Sequence, residues 1–419
     1  MQVKVFPSKV FGTIKVPASK SVVHRALIAS ALSNGYNEID DVDFNEDIFA
    51  TINGLEKLGA KILIKGSTIC INGFDVNQNI DKVEIDANES GSTLRFLIPI
   101  ATSVAQEVKF VGSQRLMERP LNVYKDLYLE QGLMFADNKC RKIIKGKLKP
   151  KTYQVQGNVS SQFISGLMFL LPLLKADSII EVIKPFESKP YVYLTISILE
   201  KYGIKIKTSN NKFYIKGNQK YQPYNLKAEG DLSQAAFFAV LAAINNDLVL
   251  ENINLDSVQG DLEIFNILQK LNVRVEFKAN SVKVFKSKLK SASIDLANMP
   301  DLGPILCVLG LFSDDYLRLD NVRRLRIKES DRLLTMKNQL EKIGAKVILE
   351  ENSITVYKLE DFIDKEIEVD GSNDHRIVMA MAVLATVLKK PLIINGALAV
   401  NKSYPNFFKD LNSIWVKTK

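Results

Sequence analysis

At 419 residues the chain is too long for one ordinary hydrophobic core, and 46% hydrophobic with 25% charged residues excludes a largely disordered polymer. The net charge of +9 favours anionic ligands over cationic ones, while one Trp and 8% aromatic residues offer no clear platform for stacking bases. Three Cys without a C-x-x-C pair, and two His, support neither a disulfide framework, a zinc ribbon nor a His-rich metal site.

In chain order, the start Met1-Gln2-Val3-Lys4-Val5 lacks the apolar core of a signal peptide. Residues 3–6 and 11–16, either side of Pro7-Ser8-Lys9, have the form of a β-hairpin. Six nearly all-apolar helical stretches then follow, each behind a polar cluster. The clusters begin at Ser19, Glu89, Ser160, Asp231, Asp301 and Asn373, at separations of 70, 71, 71, 70 and 72 residues. The longest apolar stretches, residues 163–174 and 377–388, reach about 12 residues, short of a membrane span. The chain is therefore expected to be soluble and cytoplasmic.

Between these helices lies a second marker. Leu55-Glu56-Lys57-Leu58-Gly59 recurs as Leu199-Glu200-Lys201-Tyr202-Gly203 and Leu340-Glu341-Lys342-Ile343-Gly344, with weaker copies ending at Gly132 and Asn272. Each predicts an amphipathic helix stopped by a residue that tolerates the left-handed conformation, followed by a hairpin. The repeating unit is thus a buried helix, a strand, an exposed helix and a hairpin. The sixth unit lacks its hairpin, which the N-terminal segment is expected to supply. This predicts two α/β domains of three repeats, residues 17–228 and residues 229–419 with 1–16, joined by two chain crossings near Lys20 and Glu229 that form a hinge.

A helix that is apolar all round must be buried, and its N-terminus then offers unpaired N–H groups to an anion. At the first such start, Ser19-Lys20-Ser21 with Arg25 fits a phosphate site or, equally, a cap with a solvated basic turn. The P-loop pattern is not satisfied. Capping accounts for most of Glu89-Ser90-Gly91-Ser92, while Ser160-Ser161-Gln162 suits either a ligand or the helix end. Asp231 reads as structural. Asp301 reads first as an N-cap and second as a proton-handling carboxylate. Arg376, ahead of a wholly apolar helix, is hard to place without an anion. Two loops, 115–120 with Arg119 and 323–332 with Lys328, Glu329 and Arg332, carry further charge, and Lys402 precedes Tyr404-Pro405. Arg forks suit carboxylate and phosphate, and the two carboxylates Asp301 and Glu329 are available for proton transfer.

In this order and spacing, Ser19-Lys20-Ser21, Lys328-Glu329-Ser330-Asp331-Arg332 and Asn373-Asp374-His375-Arg376 resemble the 5-enolpyruvylshikimate-3-phosphate (EPSP) synthase family over essentially the whole chain. The resemblance implies a two-domain inside-out α/β barrel of six βαβαββ repeats, three per domain around a hinge cleft. It implies a monomer that joins shikimate 3-phosphate to phosphoenolpyruvate (PEP), releasing phosphate without metal or organic cofactor and without nucleic-acid or membrane partners. By motif, Lys20, Ser21, Arg25, Ser160, Ser161, Gln162, Ser188, Tyr191, Asp301 and Lys328 are expected to hold shikimate 3-phosphate. Lys20, Gly91, Arg119, Gln162, Arg332, Arg376 and Lys402 are expected around PEP. Glu329 is implied as the proton donor to the PEP methylene, and Asp301 as the group handling the 5-hydroxyl proton, with Lys20 as a third catalytic residue. Ser188-Lys189-Pro190-Tyr191 reads as a turn by itself. Two positions depart from the family pattern: Glu89 and Arg324 stand where relatives often have Asn.

A similar family, UDP-N-acetylglucosamine enolpyruvyl transferase, carries a Cys on the loop before its Arg-Pro. Residues 112–120 here contain none, and Cys70, Cys140 and Cys307 all read as structural. An RNA-end-binding protein or cyclase of related repeats would need a basic stripe rather than cations at helix starts. An inactive binding relative is disfavoured by the presence of both acid–base carboxylates.

Overall fold

The computed structural model describes residues 1–419. The chain divides into two compact units, Ala18–Ala228 and Met1–Pro17 with Glu229–Lys419, each built on its own apolar core.

In the first unit the buried helices are Lys20–Leu32, Gly91–Val104 and Ser161–Leu170. Their almost uninterrupted apolar sequence leaves no polar face for water, so the helices lie inside and the sheets outside. The exposed helices Glu46–Lys57, Asn122–Leu129 and Lys189–Lys201 each lead into a hairpin of an outer four-stranded sheet. The second unit repeats this with buried helices Leu232–Ile244, Gly303–Gly310 and His375–Ala385, which pack on one another in all three pairings. Its exposed helices are Ile264–Lys270, Arg332–Lys342 and Phe407–Ser413.

All six exposed helices end in one motif. In the first, Gly59 N donates to Glu56 O and Ala60 N to Leu55 O, with Gly59 at φ 100°. Equivalent bond pairs close the others at Gly132, Gly203, Asn272, Gly344 and Trp415, all with positive φ. The fixed offset between helix end and hairpin follows from this closure.

Each sheet places a first strand parallel to the strand after its buried helix, with the hairpin antiparallel beyond, as in Ile80–Asp86 beside Ala105–Val111 and then Lys142–Lys145 and Met134–Asp137. In two repeats the first strand comes from elsewhere in the chain. Leu226–Lys227 pairs with Tyr36–Asp40, and Thr13–Lys15 pairs with Leu248–Glu251. Both inserted strands immediately precede the points at which the chain passes from one unit to the other.

The N-terminal segment is therefore not the expected hairpin. Gln2–Val5 pairs antiparallel with Leu392–Asn395, while Thr13–Lys15 lies in a different sheet. The residues between them are anchored instead of turning: Ser8 N donates to Thr386 O, and Val10 N donates to buried Asn245 Oδ1. The remaining strand-like position of the sixth repeat is taken by the C-terminus, since Lys4 N donates to Lys419 O and Phe6 N to Lys417 O. The sixth repeat is thus completed by both chain ends.

Candidate active site

In the 18–228 unit, the polar residues gather at the N-terminal ends of the buried helices. Arg25, one turn into the first helix, is 3% exposed. Its Nε donates to Thr195 Oγ1 at 2.8 Å, Nη1 to Ser21 O at 2.8 Å and Nη2 to Tyr191 O at 3.0 Å, and the guanidinium lies over the Phe96 ring. No carboxylate pairs with it. Burial pulls its pKa down to about 10, with Tyr191 acting the other way. A buried cation without a counter-charge costs several kcal/mol unless an anion compensates it, so this geometry favours a ligand over the solvated basic turn. Lys20 differs, since Nζ meets Asp47 Oδ2 at 2.7 Å.

Below these groups His24 Nδ1 contacts Thr51 Oγ1 at 2.7 Å, and the hydroxyl chain continues through Thr93 to Ser90. Burial, then the charges of Lys20 and Arg25, hold the His24 pKa well below its ordinary value. The first two buried helix starts are thereby tied by neutral groups, through Thr51 of the exposed helix Glu46–Lys57.

Gly91 begins the second buried helix, and a Cβ there would lie 2.7 Å from Arg119 Nη1 and 2.8 Å from Arg95 Nη1. The absent side chain is what lets two guanidinium groups converge on a helix N-terminus. Arg119 is half-buried with no hydrogen-bond partner at Nε and no carboxylate pair. Arg95 Nη1 donates to Gln162 Oε1 at 3.0 Å, and Gln162 Nε2 donates to Ser92 Oγ at 3.0 Å. Ser160 caps the third helix by accepting from Gln162 N, next to buried Ser161. Ser188 adopts φ 53° as the N-cap of helix Lys189–Lys201, so the stretch expected as a turn opens a helix. Glu89 is half-buried.

In the other unit one arginine organises the carboxylates. Arg332, 1% exposed, donates to Asp374 through Nε (2.8 Å) and Nη2 (3.2 Å), to Asp301 Oδ1 through Nη1 (3.0 Å), and to Glu329 Oε2 through Nη2 (2.7 Å). Lys328 Nζ stands 3.4 Å from Asp301 Oδ1, and Arg376 Nη2 3.2 Å from Asp301 Oδ2. Asp301 is therefore not an N-cap: it lies in a 3-10 turn ahead of Gly303–Gly310, and three cations draw its carboxylate away from the helix end. Burial opposes its ionised form, but Arg376, Lys328 and Arg332 outweigh it and hold the carboxyl well below the usual range. Asp374 is the cap at its own helix, accepting from Arg376 N while it also holds Arg332. Lys402 Nζ donates to Asn373 O in the same loop. Arg324 is buried, with Nη2 on Ala297 O at 2.6 Å.

Sequence reasoning missed Asp47, Arg95 and the role of Asp374. Asp374 stood within a quoted motif at a helix start. Arg95 likewise stood at the end of the polar cluster 89–95 on an apolar helix, whereas Asp47 carried no comparable signal, because its partner is set by packing between helices. In the 18–228 unit Arg25 and Arg119 stand without a carboxylate partner beside a group of hydroxyls, and in the other unit Lys328, Arg332 and Arg376 surround the carboxylates.

Solved structures share this fold. An EPSP synthase of Acinetobacter baumannii superposes with a TM-score of 0.81 at 23% identity, covering 100% of this chain and 99% of that one. The enolpyruvyl transferase NikO of Streptomyces tendae gives 0.81 at 13% identity, covering 100% and 98%. The fold class is α/β, with six βαβαββ repeats, three in each unit, arranged with their helices inside. At the sequence level, the profile of EPSP synthase (3-phosphoshikimate 1-carboxyvinyltransferase) matches residues 6–411. The 3-phosphoshikimate 1-carboxyvinyltransferase of Clostridium kluyveri is 43% identical over 98% of this chain and 97% of its own, and that of Clostridium perfringens strain 13 is 41% identical over 99% and 98%. The chain belongs to the EPSP synthase family.

Proposed function

We propose that this enzyme transfers the enolpyruvyl group of PEP to the 5-hydroxyl of shikimate 3-phosphate and releases inorganic phosphate. Family membership over nearly the full chain supports the reaction. The observation that carries the mechanism is the sharing of buried Arg332 between Asp301 and Glu329, which supports a joint proton-handling role for these two carboxylates.

Shikimate 3-phosphate is assigned to Lys20, Ser21, Arg25, Ser160, Ser161, Gln162, Ser188, Tyr191, Asp301 and Lys328. PEP is assigned to Lys20, Gly91, Arg119, Gln162, Arg332, Arg376 and Lys402. Each phosphate carries roughly −1.5 to −2 charge at pH 7, so unpaired cations such as Arg25 and Arg119 are required before the two anions share a site. Arg332 favours the ionised Glu329 in the free site, so PEP's negative charge offsets Arg332 and lets Glu329 take up a proton, which it gives to the PEP methylene, leaving a cationic carbon. The 5-hydroxyl oxygen attacks that carbon and its proton passes to Asp301, giving a tetrahedral intermediate. Loss of phosphate, with a methyl proton returning to the Glu329 carboxylate, forms the enol ether. Lys20 offsets the phosphate charge during these steps. The enzyme works on these small molecules as a cytoplasmic monomer.

No helix is long and apolar enough to cross a membrane. The UDP-N-acetylglucosamine alternative is not favoured, since the loop before Arg119-Pro120 contains no Cys. Phosphate release from PEP with shikimate 3-phosphate, compared with UDP-N-acetylglucosamine, tests the reading. Release with the sugar nucleotide alone would overturn it.

A further inference from the structure

Lys142 lies outside the residues assigned to either substrate, yet it is among the most deeply buried charged groups in the protein, at 1% exposure. It opens the hairpin strand Lys142–Lys145. Register places it opposite Phe110 on the strand Ala105–Val111, from which the chain runs directly into the short helix Gln114–Glu118 and then Arg119. The ammonium therefore sits under the loop that presents Arg119.

All three protons of that ammonium find acceptors. Nζ donates to Met117 O at 2.5 Å, to Asn138 O at 2.7 Å and to the carboxylate of Asp137. Met117 is two residues before Arg119. The hairpin end of the cage is itself fixed, because Asn138 Oδ1 accepts from Cys140 N at 3.0 Å and Arg141 N at 2.8 Å. A depression of about 480 Å³ lies between this hairpin tip and residues 117–122. Arg119 has no protein partner at Nε and no carboxylate to hold it, which leaves its backbone as the element that sets its position.

We propose that Lys142 is a positioning residue for PEP binding, tying the Met117 carbonyl to the 134–145 hairpin and so fixing where Arg119 presents its guanidinium. This rests on the assignment of Arg119 to PEP above. A thioether at position 142 fills similar volume but donates nothing, freeing the loop while leaving the shikimate 3-phosphate residues untouched.

The test is a double-mutant cycle in steady-state kinetics, with direct titration of shikimate 3-phosphate and a thermal melt of each variant. Lys142→Met is expected to raise the KM for PEP about tenfold or more, with a much smaller change in kcat and an unchanged Kd for shikimate 3-phosphate. In an Arg119→Ala background the same substitution is expected to add less than about twofold, because the group being positioned is gone. Asp137→Asn, which weakens the cage without emptying it, is expected to give a smaller rise in the same KM and serves if Lys142→Met fails to fold. An unchanged PEP KM in a folded variant, or the full loss repeated without Arg119, would overturn the proposal. If Arg119→Ala itself leaves the PEP KM unchanged, the assignment of Arg119 to PEP fails instead.

Discussion

Arg332 and Asp374 form a two-point ion pair, Nε to Oδ2 at 2.8 Å and Nη2 to Oδ1 at 3.2 Å, with side chains 1% and 0% exposed. Removing one partner of such a pair strands the other charge in a low-dielectric site. Asp374→Ala also removes the cap on the helix His375–Ala385. It is expected to destabilise the protein by about 3–5 kcal/mol in urea unfolding. A loss below 1 kcal/mol would mean that Asp301 and Glu329 alone neutralise Arg332.

His24 gives a pH dependence whose sign follows from its depressed pKa. Below the ordinary histidine value of about 6.5 the unfolded chain takes up a proton that the folded chain refuses. Stability is therefore full above about pH 6.5 and declines as pH falls toward the folded value, by up to about 1.4 kcal/mol per unit. His24→Gln is expected to flatten that slope in urea titrations at pH 5.0 to 7.5. Parallel slopes for variant and wild type would assign the dependence to other groups.

Trp415 holds φ 75° at the helix end where the other five repeats have Gly or Asn, and it is 74% exposed. The left-handed conformation costs a side-chain-bearing residue roughly 1–2 kcal/mol, and this indole recovers little by packing. Trp415→Gly is expected to stabilise the protein by about 1 kcal/mol, read as a rise in Tm. An unchanged or lower Tm would show that the indole makes compensating contacts.

Deleting residues 1–16 removes the antiparallel partner of Leu392–Asn395 and the parallel partner of Leu248–Glu251. Hydrogen exchange is expected to rise in both strands and across residues 229–419, while residues 18–228 stay protected. Faster exchange confined to the 18–228 unit would contradict the strand assignments.

The helix starts were legible because every repeat solves the same local problem in the same order. An apolar helix needs a polar start, an exposed helix needs a left-handed stop, and both leave fixed spacings. The strand partners of residues 2–5 and 13–15 were not legible, since pairing with residues 392–395 and 248–251 is decided by which sheet edge is open. The same holds for the site. Ser19-Lys20-Ser21 and Arg376 announce themselves as polar groups on apolar helices. Asp47, which meets Lys20 across 27 residues, and Lys142, which meets Met117 across 25, carry no such pattern. Asp301 looked like a cap because a carboxylate at a helix start usually is one. Three cations brought by other segments decided otherwise.

The most direct measurement is phosphate release from PEP and shikimate 3-phosphate by wild type and Glu329→Gln, with shikimate 3-phosphate affinity measured in parallel. If Glu329 supplies the proton to the PEP methylene, wild type releases phosphate only when both substrates are present. The variant then turns over at least about a hundredfold more slowly with unchanged affinity. Equal rates in the two proteins, or no release by wild type, would contradict the account.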